Sequence, residues 1–185
     1  MEDAQILELF YARSERAITE LAQKYGGVCQ KIAGRILNNS EDAEECVNDA
    51  YLGAWNTIPP QKPDYLPGYL YRIVRNLSLA KYHSNTAAKR NSLYDVALEE
   101  LEDCIPGGSS VEEEVAGKEL AFLLNRFLGT LNRENRILFV RRYWYADSIG
   151  ELAERFGASS NAISVRLSRV RGKLKKFLER EGYQL

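Results

Sequence analysis

Apolar side chains return at steps of three and four along most of this chain. Ile18, Leu21, Tyr25, Val28, Ile32 and Ile36 form one such stripe, the signature of a helix with one buried face. Asn38-Asn39-Ser40 ends it. Ser40 is expected to cap a second helix, with Glu41, Asp42 and Glu44 in its electropositive first turn. That helix runs to about Thr57, where Pro59, Pro60 and Pro63 stop it. A third begins near Pro67-Gly68 and carries Leu70, Ile73, Val74 and Leu77. Further on, Leu120, Leu123, Leu124, Phe127, Leu128 and Leu131 share one helix face, and Asn132 caps another helix with Ile137, Leu138 and Val140. No run alternates apolar and polar between hairpin turns, so the expected fold class is all-α.

The stretch 148–178, SIGELAERFGASSNAISVRLSRVRGKLKKFL, adds a motif. Ser148 and Glu151 have capping-box spacing. A short helix with Ile149, Leu152, Ala153 and Phe156 leads to Gly157, where a chain leaving a helix takes positive φ. Ser159 or Ser160 then caps a helix with Ile163, Leu167, Val170, Leu174 and Phe177. Small Ala153 lets the two helices cross closely. This is the layout of a helix-turn-helix, whose second helix enters the DNA major groove.

Charge supports that assignment. Residues 161–180 bear Arg166, Arg169, Arg171, Lys173, Lys175, Lys176 and Arg180 against Glu179. Asn161, Ser164 and Arg166 stand in the first turns, where base edges are met and Asn and Arg make bidentate contacts. The later cations, Arg169, Arg171, Lys173, Lys175, Lys176 and Arg180, are expected at phosphates, which position a protein without reading sequence. The alternative is a solvated basic helix of a structural bundle.

Over the whole chain the net charge is −1, but it is segregated. Residues 1–61 hold 5 basic and 10 acidic side chains, 62–91 hold 6 and 1, 92–119 hold 1 and 9, 120–160 hold 6 and 4, and 161–185 hold 7 and 2. Two basic blocks flank an acidic one, which suggests two polyanion-binding surfaces separated by a segment that a polyanion repels. The acidic block contains Pro106-Gly107-Gly108-Ser109-Ser110, and 92–115 is expected to be a flexible acidic linker. The chain is thus expected as an N-terminal helical domain (1–91), the linker (92–115) and a C-terminal domain (116–185) with the helix-turn-helix.

Residues 65–90 interleave Tyr65, Tyr69, Tyr71 and Tyr82 with Arg72, Arg75, Lys81, Lys89 and Arg90. Aromatics beside cations suit single-stranded nucleic acid, with rings on exposed bases and cations along the backbone. Packing of the tyrosines into a core remains the alternative.

The remaining chemistry is exclusionary. Cys29, Cys46 and Cys104 are far apart and His83 is the one histidine. A zinc site, a disulfide framework and a Cys/His catalytic pair are therefore not expected, and neither is a cofactor. The acids at 41–49 are the only dense ordered carboxylate cluster and read as a helix N-terminus and docking face, so the chain reads as a non-enzyme. No apolar run approaches the ~18 residues of a membrane span. The acidic start argues against secretion, and a reducing cytoplasm is the expected location.

Three blocks together resemble bacterial RNA polymerase sigma factors of the extracytoplasmic-function (ECF) group. EDAEECVNDAYLGAW (41–55) resembles that family's polymerase-binding helix. YLYRIVRNLSL (69–79) resembles the helix that opens and reads the −10 element. LNRENRILFVRRYWYADSIGELAERFGASSNAISVRLSRVRGKL (131–174) resembles the domain that reads the −35 element. The resemblance implies that Asn48, Asp49, Tyr51, Leu52 and Trp55 face the coiled coil of the largest subunit of core RNA polymerase, with core packing of Trp55 as the alternative. It implies that Arg75, Asn76, Lys81, Tyr82, His83, Lys89 and Arg90 meet the non-template strand at −10. Asn161, Ser164, Arg166, Arg169, Arg171 and Lys173 would lie at −35 promoter DNA. An anti-sigma protein covers these same surfaces in many relatives and is a further expected partner. Two sites one and a half turns apart are separated by ~50 Å at ~34 Å per turn. Twenty-four linker residues reach at most ~80 Å extended but ~27 Å relaxed, so the polymerase would have to hold the linker stretched.

Overall fold

The computed structural model describes residues 1–84, 93–102, 104 and 113–182. Lys89 and Arg90 lie outside those residues. All regular structure among the described residues is helical. The chain divides into two compact units, Met1–Ser92 and Leu93–Leu185.

In the first unit, α1 (Asp3–Tyr11), α2 (Arg16–Leu37), α3 (Ser40–Thr57) and α4 (Leu66–Ser84) pack together. The stripe along α2 buries Leu21, Tyr25, Ile32 and Ile36 but turns inward at Cys29 and leaves Val28 exposed. The cap of α3 is Asn39, one residue before the expected Ser40. Asn38 closes α2 in the left-handed region at φ 50°, which leaves Asn39 extended with its Oδ1 accepting from Glu41 N at 2.9 Å and Asp42 N at 3.1 Å. Val47, Ala50 and Ala54 of α3 and Leu66, Leu70 and Val74 of α4 are buried where the two helices pack. The helix α1 has no counterpart in the sequence reading, because its buried apolar pair, Ile6 and Phe10, spans only about one turn. Both are fully buried, and Asp3 is tied to Lys24 at 2.7 Å and accepts from the Tyr25 hydroxyl.

The second unit comprises α5 (Leu93–Glu102), α6 (Glu113–Thr130), α7 (Arg133–Tyr143), α8 (Ile149–Phe156) and α9 (Ser160–Arg180). Its core joins Leu123 and Phe127, Leu138 and Phe139, Leu152, and the α9 register Ile163, Leu167, Val170, Leu174 and Leu178. Asn132 caps α7, accepting from Asn135 N at 2.9 Å. The capping box at Ser148 and Glu151 forms at α8. Gly157 leaves α8 at φ 59°, a conformation that costs any residue with a Cβ, and Ser159 caps α9.

Here the structure departs from the expected linker. Residues 93–102 are helical and dock on α7. Tyr94, Ala97 and Cys104 are buried and Leu101 packs against the same core. The acidic composition suggested repulsion, but Tyr94, Ala97, Leu101 and Cys104 recur at steps of three, four and three. That stripe is sufficient to seat an amphipathic turn once its acids find partners.

Candidate nucleic-acid interface

Burial of the α9 stripe fixes where every other α9 side chain points. Asn161 and Ser164 are exposed in the first turns, and Arg169, Lys173 and Lys176 are exposed further along. Arg166 is half-buried and braced. Its Nη2 donates to Glu134 Oε2 and Asn135 Oδ1, each at 3.0 Å, and its guanidinium lies 5.6 Å from the Phe156 ring centre. A groove follows this side, lined among others by Asn132, Asn135, Arg169, Lys173 and Lys176. The capped start of α7 opens into it, so the positive end of that helix adds to the cations. Lys176 and Arg180, expected at phosphates, share the face. Each stands seven residues after an expected contact, Arg169 and Lys173, a spacing that keeps a helical face and was available in the sequence.

Arg171 does not belong to this face. Its Nη1 donates to Glu100 Oε2 at 3.1 Å and to the Tyr143 hydroxyl at 2.9 Å. Arg171, expected at −35 phosphates, is engaged within the protein for a helical reason. Arg171 follows Leu167 by four and precedes Leu174 by three, so it borders the buried stripe on the side where α5 docks. Burial works against the Arg171 charge, and the contacts with Tyr143 and Glu100 outweigh it, raising its pKa. Burial likewise pushes the Tyr143 phenol up.

On α4, Asn76 and His83 are exposed and Arg75 and Tyr82 half-buried. Tyr82 stacks edge-on against His83 at 5.5 Å. Lys81 is engaged rather than open: Nζ lies 2.5 Å from Glu45 Oε2 and 3.2 Å from Asp42 Oδ1, both on α3. The hydrogen bond to Glu45 chiefly raises its pKa. Of the tyrosines, Tyr65 is exposed, Tyr69 donates to Thr57 Oγ1 at 2.7 Å, and Tyr71 meets Tyr25 edge-on at 6.0 Å.

The expected docking face on α3 splits. Asn48, Asp49 and Leu52 are exposed, Leu52 by 54%. Tyr51 is buried instead, with its hydroxyl so near α2 that a Cβ at Gly26 would meet it at 3.1 Å. Tyr51 follows Val47 by four and precedes Ala54 by three, and both belong to the core face. Trp55 is half-buried, with Phe10 at 6.1 Å and the Arg13 guanidinium 5.4 Å from its ring centre, while Arg13 Nη1 donates to its carbonyl at 2.6 Å. Trp55 therefore serves partly as the seat of α1.

Residues 21–87 match the Sigma-70 region 2 family. The ECF RNA polymerase sigma factor SigM of Mycobacterium tuberculosis is 27% identical over 177 residues, covering 95% of this chain and 84% of that protein. The ECF RNA polymerase sigma factor SigE of Mycolicibacterium smegmatis is 24% identical, covering 86% of this chain and 60% of that one. Residues 21–87 thus carry a Sigma-70 region 2 domain, and the chain as a whole is similar to ECF RNA polymerase sigma factors. A solved structure of CnrH in complex with the cytosolic domain of CnrY aligns with a TM-score of 0.45 at 22% identity, covering 96% of this chain and 97% of that one. The region 2 match starts within α2 and takes in all of α3 and α4. The exposed α3 face and the α4 cations thus fall inside the matched region, whereas the α9 groove lies beyond it. Among the described residues no helix is long and apolar enough to cross a membrane.

Proposed function

We propose that this sigma factor recruits core RNA polymerase through α3, directs it to promoter DNA through α9, and opens the −10 element through α4. The α9 groove carries the reading. Asn161 and Ser164 stand exposed at the start of a capped helix, and Arg169, Lys173 and Lys176 follow along one face. Such an arrangement offers base-edge contacts at the front and phosphate contacts behind. On α3, Asn48, Asp49 and Leu52 supply the docking patch, with the visible side of Trp55 at its margin. On α4, Arg75 and Asn76 are the residues for the non-template strand, joined by Tyr82 and His83. Capturing unstacked bases costs a few kcal/mol per nucleotide, offset by stacking and hydrogen bonds. Phosphodiester synthesis belongs to the polymerase, so the chain works where core polymerase is, in the cytoplasm. An anti-sigma protein silences it by covering α3 and α9.

The test adds the full chain to sigma-free core polymerase on a genomic promoter library. Transcripts with defined starts that require the chain are expected, and their loss is expected when Arg75 and Arg169 are both neutralised. Failure to associate with core polymerase, or starts indifferent to both substitutions, overturns the reading.

A further inference from the structure

A helix with cations on every side can lie on a polyanion in several rotations, and such freedom works against sequence reading. In α9 five of the seven cations are sorted to one side. At 3.6 residues per turn, Arg166, Arg169, Lys173, Lys176 and Arg180 fall within an arc of about 80°, and Arg171 points about half a turn away from its centre. The residue that meets Arg171 comes from α5, in the acidic segment whose composition suggests a tether. Glu100 accepts from Arg171 Nη1 at 3.1 Å, from the Tyr143 hydroxyl at 3.0 Å, and from Arg142 Nη2 at 2.6 Å and Nε at 3.3 Å. Arg142 is 2% exposed and its Nη1 also donates to the Asp147 carbonyl at 2.8 Å. A buried cation that cannot turn to solvent therefore holds the Glu100 carboxylate in place. Glu100 is thus a fixed negative charge beside α9 rather than a swaying surface acid.

We propose that Glu100 is a specificity-determining residue of the DNA-reading unit: it withdraws Arg171 from nucleic acid, so that α9 presents its cations from one side. The inference rests on the proposed DNA-binding role of α9. Lys175, one turn after Arg171, also has an interaction within the protein. Without the Glu100 charge, Arg171 gains a phosphate contact on the wrong side of the helix. Non-specific affinity then rises while the preference for the correct sequence falls. Ordinary screening of one surface acid lacks this signature, because the gain would not depend on Arg171.

The test measures binding of the full chain to a fluorescent random-sequence duplex by anisotropy, from low to physiological salt. Each phosphate contact contributes about 0.9 to the slope of log K against log salt. Arg169→Gln is expected to lower the slope by about 0.9, and Arg171→Gln to leave it unchanged. Glu100→Gln, which removes the charge and keeps an acceptor oxygen, is expected to raise it by about 0.9, and adding Arg171→Gln to return it to the starting value. A drop with Arg171→Gln equal to that with Arg169→Gln overturns the inference. A rise with Glu100→Gln that persists without Arg171 does the same. Should Glu100→Gln fail to fold by circular dichroism, the comparison of the two arginine variants alone decides. Absence of salt-dependent binding in the unaltered chain, or indifference to Arg169→Gln, removes the DNA-binding reading of α9 along with it.

Discussion

Replacing Glu100 with alanine tests whether α5 is an integral part of the second unit. Arg142 would keep its bond to the Asp147 carbonyl but lose the carboxylate that balances its charge. Removing one partner of a buried ion pair costs about 3–5 kcal/mol. Glu100 has 24% of its side chain exposed, so water partly replaces it, and the lower end, about 3 kcal/mol, is expected. For a unit of this size, each kcal/mol displaces the melting midpoint by about 4–8 °C, giving a drop of about 12–24 °C. The two tryptophans fall one in each unit, Trp55 and Trp144. In a Trp55→Phe background, fluorescence therefore follows the second unit through thermal or urea unfolding. Arg171→Ala removes a partner with 23% of its side chain exposed and is expected to cost about 1 kcal/mol. Glu99→Ala, at an exposed position on the same helix, should remain within about 0.5 kcal/mol. If Glu100→Ala matched Glu99→Ala, α5 would not be docked through this carboxylate and the reasoning fails.

Three further expectations follow from the same contacts. Burial pushes the Cys29 thiol and the Tyr51 phenol up to about 12, from ordinary values of 9.0 and 10.0; above pH 9 the unfolded chain releases protons that the folded chain retains, so the first unit should hold full stability below pH 9 and lose it progressively toward pH 12, and a urea midpoint in a Trp144→Phe background that stays level across that window would contradict this. Leu52→Ala is expected to leave unfolding within about 0.5 kcal/mol of the unaltered chain while weakening association with core polymerase by about 1–2 kcal/mol, measured by titration of labelled chain; equal losses in both would place Leu52 in the core rather than on the docking face. Gly157→Ala forces a Cβ into the left-handed turn between α8 and α9 and should destabilise the second unit by about 1 kcal/mol, read from its urea midpoint, with no change expected if that turn relaxes freely.

The helices proposed for recruitment and −10 contact, α3 and α4, are tied together by ion contacts. Lys81 of α4 is held by Asp42 and Glu45 of α3, so a residue expected at −10 DNA is engaged by the helix proposed to dock on polymerase. Similarly, a residue expected at −35 is engaged by α5. In both units a carboxylate from another helix engages a cation that the sequence places at nucleic acid.

Much of this protein is written in local pattern. Caps at Asn132, Ser148 and Ser159, the left-handed exit at Gly157, and the stripes of α2, α6 and α9 depend on residues within a turn or two of each other, so the chain near them suffices to specify them. The exposed start of α9 with Asn161 and Ser164 follows from the same register. Other outcomes depend on partners far away in sequence. Whether Val28 or Cys29 turns inward is a packing choice between adjacent apolar residues. Tyr51 and Arg171 each border an apolar stripe, and only the arrival of α2 or α5 determines whether that border faces solvent. The segment 93–102 reads as a repelling tether until Arg142, 42 residues from Glu100, supplies a buried counter-charge. Periodicity reveals a helix and its buried side, but the use of a side chain at the edge of that side is settled by what packs against it.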